Sequence, residues 1–348
     1  MSPMIKYLLI SSLGLGTALT FISSHWLLAW MGLEINTLAI IPLMAQHHHP
    51  RATEAATKYL LIQAASTAML LFATTTNAYM QEGWEITQIK DQTATTLIVL
   101  ALALKLGLAP FHFWLPEVMQ GLDIMTGMIL ATWQKLAPIA LIIQISHSAH
   151  LSLLTLLGVL STTMAGWAGM NQTQLRKILA YSSTAHLGWI IIITSYAPHL
   201  TLLTLAIYIF MTAAAFLTIK ETASTKINTL TQSWSKNPTM TTMMILILLS
   251  LAGLPPMTGF MPKWLILEEL TKQEMIVPAT VVAMSALLSL YFYLRLCYSS
   301  ALTLFPSTTK LKSPWRHKNK VMASTSTMAT TLPLTPLIVA LPTLLLMY

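Results

Sequence analysis

Apolar stretches of about twenty residues follow one another along nearly the whole 348-residue chain, separated by joints too short to hold a soluble domain. Hydrocarbon about 30 Å thick takes roughly 20 residues of helix to cross, and inside it every backbone N–H and C=O must be paired within the chain. Repeated runs of that length leave one fold class, an all-α polytopic membrane protein. The composition agrees, with 55% hydrophobic and only 9% charged residues. About eleven spans are predicted: 4–23, 25–43, 55–80, 94–109 continuing through a break to 121, 124–146, 151–170, 175–197, 200–220, 239–271 with a break, 276–301 and 325–346. His49-Pro50, Ala197-Pro198 and Asn237-Pro238 supply turn chemistry at the joints.

Charge orients the bundle, because Lys and Arg are retained on the side from which a chain is inserted. With the N-terminus on that inner side, Lys6, Arg51, Lys58, Arg176, Lys177, Lys220, Lys226, Lys236, Lys310, Lys312, Arg316, Lys318 and Lys320 fall inside, and Lys90 and Lys272 outside. The bias requires an odd number of spans, so the C-terminus is expected outside. The formal charge of +8 is then a topology signal, and nucleic acid is not expected as a partner.

Redox cofactors are not expected on this chain. Cys297 is its single cysteine, whereas an iron–sulfur cluster takes about four thiolates. Gly14-Leu15-Gly16 lies in the first span, with neither a preceding strand nor a third glycine, so it is no dinucleotide fingerprint. A cleavable signal or Arg-rich transit peptide is not expected either, since Met1-Ser2-Pro3 leads straight into a span. His47, His48 and His49 form a short histidine tract, but adjacent residues on a turn rarely converge on one ion, and no metal site is expected.

Two interruptions divide the chain in parallel ways. If spans one to five form one unit (1–148) and six to ten another (149–304), the broken helix is the fourth element of each, near 105–121 and near 251–264. An odd number of helices per unit makes the repeats inverted, and paired Gly/Pro-interrupted helices in corresponding positions point to a transport site. Residues 305–348 add a basic loop and a C-terminal span.

The ionisable residues inside these spans are few and costly. Glu34 is near the middle of the second span, Lys105 in the fourth, Lys135 in the fifth, His186 in the seventh, and Lys263 follows the second break. Four such charges at roughly 3 kcal/mol each cost on the order of 10 kcal/mol, as much as the whole net stability of a typical domain. They must be paired, hydrated or neutralised. Burial favours the neutral form of an amine and a nearby carboxylate favours the charged form, so a lysine held between the two terms loads and releases a proton when its partner moves. Glu34 is the natural partner of Lys105. His112, Glu117 and Asp123 flank the first break and are expected to line or cap a cavity there, with an interfacial position beside Trp114 as the alternative. For His186 a plain hydrogen bond to Ser182 or Ser183 competes with a relay role, and Arg295 is expected to snorkel.

The segments LKLGLAPFHFWLPEVMQG, RKILAYSSTAHLGW, LSLAGLPPMTGFMPKW, HWLLAWMGLEINTLAIIPLM and HHPRATEAATKY together resemble the chain 2 family of antiporter-like membrane subunits of NADH–ubiquinone oxidoreductase, respiratory complex I, over essentially the whole chain. The short form resembles vertebrate members that lack three N-terminal helices of bacterial relatives. The resemblance implies a place in the proton-pumping membrane arm, in the mitochondrial inner membrane with the N-terminus in the matrix and the C-terminus in the intermembrane space. Glu34 and Lys105 are implied as the coupled acid–lysine pair, Lys135 as a bridging lysine, His186 on the hydrophilic axis and Lys263 as the distal lysine. The implied partners are other membrane-arm and accessory subunits and phospholipids, with cardiolipin a candidate. NADH, FMN, iron–sulfur clusters and ubiquinone belong elsewhere in such a complex. A stand-alone cation/proton antiporter and a passive scaffold are the competing readings.

Overall fold

The computed structural model describes residues 3–46, 49–81, 83–87, 89, 91–235, 238–255 and 257–301. The expected span 325–346 and its basic loop, together with His47, His48, Lys90 and Lys236, lie outside the described residues. The helices are α1 (Pro3–Ile22), α2 (Trp26–Met44), α3 (Pro50–Gln81), α4 (Gln92–Leu106), α5 (Trp114–Gly121), α6 (Ile124–Ala131), α7 (Leu136–Ile145), α8 (Leu151–Met170), α9 (Leu175–Thr194), α10 (Pro198–Thr222), α11 (Ile227–Thr231), α12 (Pro238–Ala252), α13 (Phe260–Lys272) and α14 (Ile276–Ala301). Among the described residues there is no β-strand, only two isolated bridges, His25 to Glu85 and Gln174 to Lys226. Seven segments are long and apolar enough to cross a membrane unaided, α6 and α7 together forming one of them. α4 and α12 are apolar but shorter, at 15 residues each, because each stops at a break.

Helix ends follow local chemistry. α3 begins at Pro50, earlier than its apolar run implies, because proline suits the first helical position and His49 Nδ1 accepts the Arg51 N–H at 3.2 Å. His49 is thus a helix cap. With 32 residues and 1.5 Å per residue, α3 is about 48 Å long, well beyond the hydrocarbon thickness. The hydroxyls that crowd the spans turn back onto their own helices: Thr17 donates to Gly14 O, Ser182 to Leu179 O and Ser183 to Ala180 O. Large apolar side chains such as Tyr7, Leu8 and Phe72 face outward, as a hydrocarbon surroundings allows.

The chain divides into two compact units, the first made of Met1–Ser161 with Ile190–Pro198, the second of Thr162–Trp189 with the described residues from His199 onward. In the first, α2 packs on α1 and α3, α3 on α4 and α5, and α7 on α1 and α4. α1 and α2 cross closely at Gly16 and Gly32: a Cβ on Gly32 would lie 2.8 Å from the Gly16 carbonyl oxygen. In the second unit α14 packs against α11, α12 and α13. The short helix α11 is absent from the sequence expectation. Its first turn is held by the Thr229 hydroxyl, which accepts the Thr225 and Lys226 N–H groups at 3.1 and 3.0 Å. The Arg295 guanidinium donates to the Met170 and Gln172 carbonyls and closes the end of α8, where carbonyls lack helical partners.

Candidate functional site

In the first unit the break is built by Gly107. It adopts the left-handed conformation (φ 74°), and its N–H and that of Leu108 both bond the Ala103 carbonyl at 3.0 Å, so α4 ends with its last acceptors satisfied. Lys105 therefore stands in the last turn of a half-helix and is 7% exposed. Trp114 opens α5 and returns an indole N–H to Leu104 O at 3.2 Å, fixing the two halves to each other. Lys105 Nζ has no hydrogen-bond partner, and neither has Oε2 of the half-buried Glu34. The Glu34 charge is close enough to act on both Lys105 and the buried Tyr59, yet no ion pair joins it to Lys105. An acid and an ammonium held near each other but unclasped can exchange a proton through an intermediary, which a locked pair cannot.

A second break, unforeseen from the sequence, carries Lys135. The expected fifth span is one membrane crossing but two helices, α6 and α7, joined by a single 3-10 turn over Trp133–Lys135. Pro138 is the signal that could have found it, because proline has no N–H for the Gln134 carbonyl one turn back. The turn is anchored on two sides: Trp133 Nε1 donates to Leu13 O on α1 at 3.4 Å, and Gln134 Nε2 to Asn36 O on α2 at 3.3 Å. Lys135, next in sequence, is left 3% exposed and faces inward.

Lys105 and Lys135 line one cavity of about 20 Å³, space for about one water molecule, with Asn36 and Thr37 of α2, Tyr59 and Gln63 of α3, and Gln134. Glu34 sits on α2 within three residues of that lining but does not reach it.

In the second unit α12 stops at Gly253, also left-handed (φ 81°), and α13 resumes at Phe260. Lys263, 9% exposed, lies in the first turn of α13 and donates from Nζ to the Ala252 carbonyl at 2.8 Å, across the break. A Cβ on Gly253 would lie 2.9 Å from that Nζ, so glycine is needed for the reach as well as for the turn. Gly259 likewise abuts the Ser250 carbonyl. His186 is half-buried in α9, its ring 5.8 Å from that of Tyr208.

The residues flanking the first break part company. His112 is 1% exposed, its ring tilted against that of Phe113 at 4.3 Å, and it donates to the Pro110 carbonyl. Glu117 is exposed and pairs with Lys58 at 2.9 Å, while Asp123 is exposed just before α6. None of the three lines the cavity of Lys105 and Lys135; Glu117 is turned instead to Lys58 of α3. Among the described residues no group of three or more His, Cys, Asp or Glu side chains converges as metal ligands would.

Known proteins resemble this chain in sequence and fold. The family described as NADH:quinone oxidoreductase/Mrp antiporter, TM, matches residues 23–289, and the one described as NADH dehydrogenase subunit 2 C-terminus matches residues 290–339. NADH-ubiquinone oxidoreductase chain 2 of Carassius auratus is 62% identical over 99% of this chain and 100% of its own length, that of Danio rerio 59% identical over 99% and 100%, and that of Squalus acanthias 58% identical over 97% and 99%. A chain of respiratory complex I from Thermus thermophilus superimposes with a TM-score of 0.83 at 25% identity, covering 96% of this chain and 78% of that one. A chain of the Mrp complex from Dietzia shares the fold, with a TM-score of 0.77 at 18% identity over 86% of this chain and 61% of its own. With buried lysines at the interruptions of its apolar helices, a matching profile over most of its length and relatives near 60% identity end to end, the chain belongs to the NADH:quinone oxidoreductase/Mrp antiporter membrane family, in its NADH-ubiquinone oxidoreductase chain 2 branch.

Proposed function

We propose that this chain is the proton-translocating, non-redox membrane subunit of an NADH:ubiquinone oxidoreductase, and that Glu34, Lys105 and Lys135 in the first unit and His186 and Lys263 in the second carry the proton. The single observation that supports this most is the placing of Lys105, Lys135 and Lys263 at three interruptions of otherwise apolar spans, each at most 9% exposed. Such groups are expensive in a membrane and mark ion pathways. Electron transfer in neighbouring subunits alters the field at Glu34, Glu34 loosens its hold on the Lys105 proton, and the proton moves on to Lys135, His186 and Lys263 for release. Moving one charge against 100 mV costs about 2.3 kcal/mol, so every transfer needs that drive.

The same reading places the chain in the mitochondrial inner membrane, N-terminus in the matrix and C-terminus in the intermembrane space, among other membrane-arm and accessory subunits and phospholipids such as cardiolipin. NADH, FMN, the iron–sulfur clusters and ubiquinone sit in other subunits, and of the residues flanking the first break the exposed Glu117 and Asp123 border its mouth, while His112 is buried beside it. Residues 1–148 and 149–304 are the inverted repeats.

The test is substitution in the assembled complex. Glu34→Gln and Lys105→Met are expected to assemble and oxidise NADH while pumping fewer protons per NADH; an unchanged ratio for both leaves a scaffold role in place of the relay. Likeness to the Mrp chain gives a second reading, a stand-alone antiporter. Purified alone in liposomes, an antiporter exchanges cations for protons, whereas a subunit of a redox complex does not.

A further inference from the structure

Asn36 is the buried polar side chain that the relay leaves without a task. It lies on α2, is 2% exposed, and neither its Nδ2 nor its Oδ1 has a hydrogen-bond partner. It lines the same cavity as Lys105 and Lys135. A buried amide with both ends unpaired forfeits about as much as two hydrogen bonds, and polar groups in that position are satisfied by internal water when there is room for one. Here there is room, at about 20 Å³.

The packing around Asn36 points the same way. A Cβ added to Gly16 would collide with Asn36 Oδ1, so the glycine of α1 provides the space in which the amide sits. The Asn36 carbonyl accepts from Gln134 Nε2 at 3.3 Å, which ties the backbone of Asn36 to the turn that carries Lys135. One residue therefore holds the Lys135 turn through its main chain and lines the cavity that the two lysines share.

We propose that Asn36 is a positioning residue for proton transfer in the first unit: its amide holds a water molecule between Lys105 and Lys135, seated there by Gly16. The amide both donates and accepts, so the water can accept from one lysine and donate toward the other without Asn36 changing charge. The titratable groups facing this point are Lys105 from α4, Lys135 from the 3-10 turn and Tyr59 from α3, with Glu34 acting from α2. The inference rests on the proposed relay function and adds a residue and a bound water to it.

The experiment compares Asn36→Leu, Asn36→Ser and Gly16→Ala in the assembled complex, reading protons pumped per NADH and the pH profile of pumping. Leucine fills the same space without polar atoms; serine leaves a gap but keeps a hydroxyl that a second water can join. A bridging role predicts that Asn36→Leu pumps roughly fivefold more slowly, the factor a lost hydrogen bond of about 1 kcal/mol carries, with a displaced pH profile, and that Asn36→Ser recovers most of the rate. A packing role alone predicts the reverse order, because leucine fills and serine voids, and that order overturns the proposal. Should Asn36→Leu fail to assemble, Gly16→Ala, which pushes on Oδ1, must slow pumping relative to Asn36→Ser; if it does not, the proposal falls. Lys105→Met separates the levels: normal pumping there sinks the relay itself, while impaired pumping there with wild-type behaviour in Asn36→Leu sinks only the role of Asn36.

Discussion

Two interrupted helices in this protein use the same device, a left-handed glycine at the end of a half-helix, and put their lysines on opposite sides of it. Lys105 precedes Gly107 and stays on the helix that ends; Lys263 follows Gly253 and belongs to the helix that resumes. The outcome differs in kind. Lys263 reaches back to the Ala252 carbonyl, at the negative end of the α12 dipole, and is held by its own break. Lys105 lines a cavity, has no hydrogen-bond partner, and feels the charge of Glu34 on another helix. A charge clasped by its own backbone resists distant perturbation, whereas one held only by a remote carboxylate moves with it. The first unit thus has the arrangement of a sensor, the second that of a gate with its own latch.

Gly253→Ala is the substitution with the largest expected effect on this contrast. The left-handed conformation costs a non-glycine residue about 1–2 kcal/mol, and the new methyl would stand against the Lys263 ammonium. The expected outcome is an assembled complex with a lowered Tm in which pumping falls as far as it does in Lys263→Met. Pumping that survives in Gly253→Ala would show that the latch is dispensable and dissolve the distinction. Lys263→Arg sharpens it further: arginine keeps the bond to Ala252 O but holds its proton at any accessible pH, so assembly should be normal and pumping lost. At Lys105 the same change to arginine is expected to stop pumping as well, because a guanidinium keeps its proton there too.

Much of this was legible in the residues and some was not, for identifiable reasons. Both glycine breaks announce themselves through nearby prolines in apolar runs, and the insertion cost of a charge singles out Glu34, Lys105, Lys135 and Lys263. The break beside Lys135 leaves little local trace, because Ile124–Ile145 as a whole is apolar enough to read as one span and Pro138 sits one turn after the place it disrupts. Glu117 was read from its distance to Pro110 along the chain; its actual partner, Lys58, is 59 residues away in sequence. Arg295 is similar, since a helix end 123 to 125 residues earlier leaves no local trace at the arginine that closes it. Asn36 carries no charge to mark it among the many polar residues of the spans, and only the cavity it lines sets it apart.

Gln134→Leu probes the contrast more gently. It removes the bond to the Asn36 carbonyl, a loss of about 1 kcal/mol, and frees one of the two tethers of the 3-10 turn. Pumping is expected to fall by a few-fold with assembly intact, and a matching decline in Trp133→Phe, which cuts the tether to Leu13 O, would locate the effect in the placing of Lys135.

The smallest effect belongs to Asp91, at the other end of the half-helix that carries Lys105. Its carboxylate caps α4, accepting the Thr93 hydroxyl at 2.7 Å and the Thr93 N–H at 3.2 Å, and these bonds hold its pKa below the usual carboxylate value. A carboxyl with a depressed folded-state pKa contributes stability that is present above its unfolded value and disappears as pH falls through the folded one. Asp91→Asn keeps an acceptor but removes the titration, so a slight loss of thermal stability on acidification is expected of the wild-type complex and a smaller one of the variant. Lys105 lies fourteen residues further along, about 21 Å at 1.5 Å per residue, so pumping per NADH should be unchanged. A pumping defect in Asp91→Asn would mean that the cap and the lysine move as one rigid helix, and that the first break is latched too, by the far end of α4.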